Sequence, residues 1–104
     1  MLDRRRLVSW SKDARADLAD IWSYYRKVAG RQTADNVIRE IIAAALVLEE
    51  YPLGGRSREK LRPGLRSISA RPHIVFYRLQ DETPEIIRVL DGRRDLDEDF
   101  FDGR

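Results

Sequence analysis

The chain of 104 residues contains no cysteine, one histidine and one methionine. Without cysteine there is no disulfide framework and no thiol chemistry, and nothing argues for an oxidising compartment. A single histidine among scattered carboxylates gives no metal-ligand spacing, so no metal and no cofactor is expected. No glycine-rich phosphate loop is present either, since Gly54–Gly55 and Gly64 lack a strand–loop–helix setting. No apolar run approaches the roughly 18 residues that cross a bilayer. Arg4–Arg5–Arg6 is not followed by an apolar core, so the basic tail 1–6 does not read as a signal peptide. These absences predict a cytoplasmic protein with no membrane association. The length suits one domain, 1–104, with a modest core.

Lysine is scarce as well: 17 of the 20 basic residues are arginine. Arginine's planar fork suits carboxylate and phosphate and is easier to desolvate than an ammonium. The small formal charge of +2 hides an uneven distribution. Between Arg56 and Arg78 lie Arg56, Arg58, Lys60, Arg62, Arg66, Arg71 and Arg78 against Glu59 alone. Asp95, Asp97, Glu98, Asp99 and Asp102 then crowd the end of the chain, an acidic tail over 96–104 in which 96–101 has the pattern of a short helical turn. A basic centre favours an anionic partner, either nucleic acid or an acidic protein segment. The competing reading is a solvated surface paired within itself.

Leu7–Trp10 reads as a first short strand. Ser11 offers a helix N-cap, with Asp13 and Asp17 where the helix dipole favours negative charge. Ala14, Leu18, Ile21, Trp22, Tyr25 and Val28 recur at helical spacing up to Gly30, which predicts a helix from about Lys12 to Ala29. Thr33 is the expected cap of a second helix carrying Ala34, Val37, Ile38, Ile41, Ile42, Ala45 and Leu48 and stopped at Tyr51–Pro52. The short link makes the two an antiparallel hairpin. Leu46 and Val47 fall off its main stripe, and Trp22, Tyr24 and Tyr25 broaden the first helix's face, leaving apolar surface for a partner. Neither helix has a basic face, since together they hold seven acids against six bases, so sequence-specific DNA binding is not expected.

Leu53–Gly64 reads as an exposed connection. From Leu65 the period changes. Leu65–Ala70 alternates apolar with polar, His73–Leu79 is nearly continuous, and Ile86–Leu90 is β-branched. The Arg71–Pro72 and Asp81–Pro84 links are too short for a parallel crossover, so an antiparallel meander is predicted. The fold class is α+β: an N-terminal antiparallel helical hairpin packed on a small antiparallel sheet of four strands.

Ordered motifs then carry a family resemblance. They are Ala14-x-x-Asp17-Leu18-x-x-Ile21-Trp22-x-Tyr24, Ala34-x-x-Val37-Ile38, Leu48-x-x-x-Pro52-x-x-Gly55-Arg56 and Gly64-Leu65-Arg66, followed by His73–Arg78 and Ile87–Asp95. In this order, across about Val8 to Asp95, the chain resembles the ParE toxins of the ParE/RelE type II toxin–antitoxin superfamily. The resemblance implies a helical hairpin on a small antiparallel sheet. It also implies a toxin that inhibits DNA gyrase by stabilising its cleaved-DNA complex. The implied partner is a ParD-like antitoxin, a ribbon-helix-helix DNA-binding protein whose C-terminal segment wraps the toxin in a higher-order hetero-oligomer. An amphipathic acidic segment suits apolar anchors beside arginines. Trp22, Tyr25, Ile38, Arg66 and Arg71 are the candidates for that contact, and Arg93 and Arg94 for contact with the target.

RelE-like relatives instead cut messenger RNA on the ribosome. That chemistry needs a proton acceptor, a proton donor and cations for the phosphorane. His73, Tyr77 and Arg66 are the candidates for it here. Yet His73 follows Pro72 at a strand start, where a hydrogen-bonded structural role is the plainer reading, and Tyr77 sits in an apolar run with its hydroxyl expected at the rim. Gly92–Arg93–Arg94–Asp95 stands where interferases carry a C-terminal histidine or tyrosine. The sequence therefore favours a non-enzymatic inhibitor over an endoribonuclease.

Overall fold

Ser11 is where the first strand turns into the first helix. In the computed structural model, which describes residues 7–93, its amide donates to the Ile86 carbonyl at 2.9 Å and its hydroxyl to the Ile87 carbonyl at 2.9 Å. The same hydroxyl oxygen accepts from Ala14 N–H at 3.0 Å, the expected N-cap. Strand β1 (Ser9–Trp10) thus leads into helix α1 (Lys12–Ala29), whose bounds match the sequence reading. At its end Gly30, with φ of 94°, donates to the Arg26 carbonyl. Its own carbonyl accepts from Ala34 N–H at 3.1 Å, so one residue stops α1 and starts α2 (Arg31–Leu46). The second helix therefore begins before Thr33, and its N-cap is Gly30 without a side-chain bond. Left-handed backbone makes glycine the residue of choice there. A turn of 3₁₀ helix, Val47–Glu49, follows.

The sheet has five strands in the order β1-β5-β4-β3-β2, with β2 at Arg56–Ser57, β3 at Arg66–Ala70, β4 at His73–Gln80 and β5 at Thr83–Asp91. The meander β3-β4-β5 is antiparallel, as predicted. Two features differ from the expected four-stranded antiparallel sheet. The first strand pairs in parallel with β5, through Ser9↔Glu85 and Trp10↔Ile86, which makes the sheet mixed. The supposed connection after Leu53 also contributes a strand, since Arg56 and Ser57 pair with Ser67 and Arg66. Neither two-residue strand is long enough to show a period.

The hairpin covers one face of this sheet. Ala14, Ile41, Ala45 and Leu48 from the helical segment meet Val75, Tyr77, Ile86 and Val89 from the strands, each at most 2% exposed. Burying a large apolar side chain of this kind contributes about 1.5–3 kcal/mol. Alternation sends the neighbouring residues to the opposite face. There Leu65, Phe76 and Leu90 form a second cluster with Leu61, Ile74 and Ile87. The ladder between β4 and β5 shifts register between Phe76 and Tyr77, leaving Ile87 as an extra residue. A bulge of this kind re-aims side chains. Here Arg88 reaches α1, where its Nε and Nη2 donate to the two carboxylate oxygens of Asp17 at 2.8 and 2.9 Å. Val89 N–H donates to the same carboxylate at 2.8 Å. Asp17 therefore fastens α1 to the edge of β5.

Candidate interaction surface

The residues singled out as possible nuclease machinery do not converge. Tyr77 is fully buried, not at the rim. Its hydroxyl donates to the Pro52 carbonyl at 2.8 Å and accepts from Gly55 N–H at 2.9 Å. Arg66 pairs with it across the strands, but Arg66 Nη2 donates to the carbonyls of Leu53 at 3.1 Å and Gly55 at 2.8 Å. Both side chains hold the 52–55 loop against the sheet. His73 lies four residues further along β4, about 13 Å away at strand rise. The residue is 5% exposed, and its ring sits edge-on to Tyr25 at 6.1 Å. Nδ1 is buried without a hydrogen-bond partner among the described residues, where the sequence led us to expect one.

Burial also moves the His73 pKa below its ordinary value. Desolvation is the main cause and the Arg93 cation adds to it, while the Asp91 carboxylate opposes both. A histidine kept neutral in the fold costs stability once the unfolded chain binds protons. The stability of the protein is thus expected to be flat above the unfolded histidine pKa, about 6.5, and to fall as pH drops below it. A His73→Gln variant should lack that fall below about pH 6.5. Urea midpoints measured at pH 7.5 and 5.5 check it; equal slopes for both proteins would contradict the assignment.

A cleft of about 490 Å³ opens beside His73, between α1 and the end of β5, lined among others by Asp17, Tyr24, Tyr25, Asp91 and Arg93. Arg93 is exposed and pairs with Asp91 through Nε at 2.9 Å and Nη2 at 2.6 Å. That pair holds the Asp91 carboxyl well below the usual carboxylate range and raises the Arg93 pKa. Arg71 is exposed in the β3–β4 turn. Arg94, the other candidate for target contact, and the short helix expected at 96–101 lie outside the described residues.

The apolar candidates are placed unequally. Ile38 is half-buried against the core. Trp22 is half-buried between the helices, with its indole N–H donating to Asp35 at 2.8 Å and the Arg26 guanidinium 5.9 Å from its ring. The more exposed apolar groups are others: Tyr24 and Val28 on α1, Ile42 and Leu46 on α2, then Val47, Tyr51 and Leu53. Two of these sets are i, i+4 pairs, each forming a short apolar stripe on its helix. Leu46 and Val47 were legible as lying off the buried stripe. Tyr51 and Leu53 stand beside a proline in a loop, where no periodicity marks them.

A second cleft, of about 690 Å³, opens on the sheet face away from the hairpin, lined by Arg56, Ser57, Arg58, Glu59, Lys60, Leu61, Ile74 and Gly92. Arg58 Nε donates to Ser67 Oγ at 2.8 Å, and its guanidinium lies 5.7 Å from the centre of the Phe76 ring. Burial and the neighbouring Arg56 charge lower the Arg58 pKa. The signal for this cleft is the run Arg56-Ser57-Arg58-Glu59-Lys60, in which charge marks an exposed connection but not the face of the sheet it lies on.

Residues 8–96 match the family model described as the ParE toxin of the type II toxin–antitoxin system, parDE. The chain is 41% identical over 80 residues to Toxin ParE1 of Caulobacter vibrioides, covering 77% of this chain and 82% of that one. It is 36% identical over 88 residues to Toxin ParE1 of Mycobacterium tuberculosis, covering 84% and 90%. The fold superposes on the chromosomal ParDE toxin–antitoxin system from P. aeruginosa with a TM-score of 0.75 at 22% identity, over 86% of this chain and 98% of that one. It also superposes on the RelBE2 toxin–antitoxin complex from M. tuberculosis with a TM-score of 0.62 at 20% identity, over 84% and 98%. A helical hairpin on a meander, with the sequence matched from the first strand to the last, identifies the chain as a member of the ParE toxin family of type II toxin–antitoxin systems.

Proposed function

We propose that this toxin acts in the cytoplasm as a non-enzymatic inhibitor of DNA gyrase, stabilising the cleaved-DNA complex, and that a ParD-like antitoxin neutralises it. The observation that carries the choice against RNA cleavage is the state of Tyr77 and His73. Both are buried, the tyrosine hydroxyl is bonded to two backbone groups, and neither meets the other. A general acid and a general base have to reach the substrate within hydrogen-bond distance. The antitoxin partner is supported by the exposed apolar groups of the hairpin and the loop after it, with Trp22, Tyr25 and Ile38 half-buried on the same helices. A helix laid in a groove anchors through such groups, and its carboxylates pair with arginines such as Arg71. Arg93 is the candidate for target contact, and Arg66 for antitoxin contact through the part of its fork that is not spent on the loop.

The test is a plasmid supercoiling reaction with purified gyrase, titrated with the toxin and read for linear DNA. Linear DNA is expected to grow with toxin and to vanish when antitoxin is added. If supercoiling proceeds unaffected while ribosome-bound messenger is cut, the reading is wrong and the endoribonuclease alternative replaces it.

A further inference from the structure

The cleft on the sheet face opposite the hairpin has no role in the reading above. Among the described residues Arg56, Arg58 and Lys60 line it, with Glu59 as the acid. That acid is turned to the chain itself, its Oε2 accepting from Gly64 N–H at 2.8 Å. Arg58 is held in place by Ser67 and the Phe76 ring, and the charge that acts on it most is the like charge of Arg56. A fixed arginine beside two exposed cations, with no ion pair to a carboxylate among the described residues, is a seat for an anion.

We infer that the cleft walled by Arg56, Arg58 and Lys60 is a contact for the phosphate backbone of DNA, made without reading base sequence. Phosphate fits better than a peptide carboxylate because Arg56 and Lys60 are exposed at the cleft wall, open to a charge that runs past them. Where the proposed gyrase reading holds, this is the face the toxin turns to the cleaved duplex; that placement rests on the reading, whereas the DNA contact itself does not. The sequence past Arg93 carries Asp95, Asp97, Glu98, Asp99 and Asp102. Their charge opposes the phosphate and lowers the affinity.

The experiment is fluorescence anisotropy of a labelled 20-base-pair duplex titrated with the full chain at several salt concentrations, without gyrase. Three phosphate contacts predict a loss of about 40-fold in affinity between 50 and 200 mM salt. Replacing the two exposed cations, in Arg56→Ala/Lys60→Ala, should leave about a 4-fold loss over the same range and an unchanged thermal midpoint. Asp97→Asn/Glu98→Gln/Asp99→Asn should bind more tightly than the parent. Absence of binding at 50 mM salt in both the parent and the acid-depleted variant overturns the inference, as does a salt slope that the Arg56/Lys60 variant leaves unchanged. Preference for a poly-glutamate peptide over the duplex also overturns it, by making the seat one for acidic protein. None of these failures bears on gyrase poisoning, which the supercoiling reaction reads by itself.

Discussion

Gly55→Ala is expected to destabilise the protein by about 3 kcal/mol, a fall of about 15 °C in thermal midpoint for a chain of this length. A methyl group at this position would stand 2.5 Å from the Tyr77 hydroxyl, 2.6 Å from its ring and 2.8 Å from the Ser67 carbonyl. The ring is in the middle of the core and the carbonyl belongs to a central ladder, so neither can move aside cheaply. The methyl would also break the bond from Gly55 N–H to the tyrosine hydroxyl and strain the one from that hydroxyl to Pro52. Each buried group left unsatisfied adds about 1–3 kcal/mol. Tyr77→Phe keeps the packing but leaves Gly55 N–H and the partly buried Pro52 carbonyl without the hydroxyl, and should cost about 2 kcal/mol. Thermal and urea unfolding of both variants decide it. If Gly55→Ala melts no lower than Tyr77→Phe, the contact is not as tight as the geometry says.

Asp17→Ala should cost about 2–3 kcal/mol. One carboxylate serves a two-pronged arginine and a backbone amide at once, on side chains 12% and 24% exposed. Breaking a fully buried pair costs about 3–5 kcal/mol; partial solvent access at Arg88 lowers that figure. Asp17→Asn still presents an oxygen to Val89 N–H and loses chiefly the charge, so it should retain roughly half of the stability that alanine loses. Urea midpoints give the order wild type, asparagine, alanine. Equal midpoints for the two variants would mean that the charge, not the amide bond, is all that matters.

Much of the fold was written in local signals. Ser11 and Gly30 bracket α1, and the change from period 3.6 to period 2 near Leu65 separates hairpin from meander. What escaped had no local signal. Two-residue strands such as Ser9–Trp10 and Arg56–Ser57 exist because a neighbour supplies the other half of the ladder. Strand β5 starts at Thr83, earlier than the Pro84 in its second position suggested, and Asp81 and Glu82 alone make the turn, both with positive φ. Asp17 looked like a helix-dipole residue, and only the bulge at Ile87 brings Arg88 to it. The candidate surface divided in the same way. Exposure at Leu46 and Val47 followed from helical phase, whereas the inward turn of Tyr77 depends on a glycine 22 residues away.

Strand β5 holds together segments far apart in the described chain. It receives β1 across 76 residues at Ser9↔Glu85 and Trp10↔Ile86, and it receives Asp17 across 71. On a ribosome the hairpin emerges before the meander, and β5 after every other described element. Until it does, α1 lacks both its carboxylate anchor and the apolar floor of Ile86 and Val89. Contacts so distant in sequence form late, because the chain between them must be gathered first. A partly synthesised toxin is therefore a helical hairpin with its sticky side bare and no finished sheet. The assembled toxin exists only after β5 has emerged, and until then an antitoxin already present has the bare hairpin within reach.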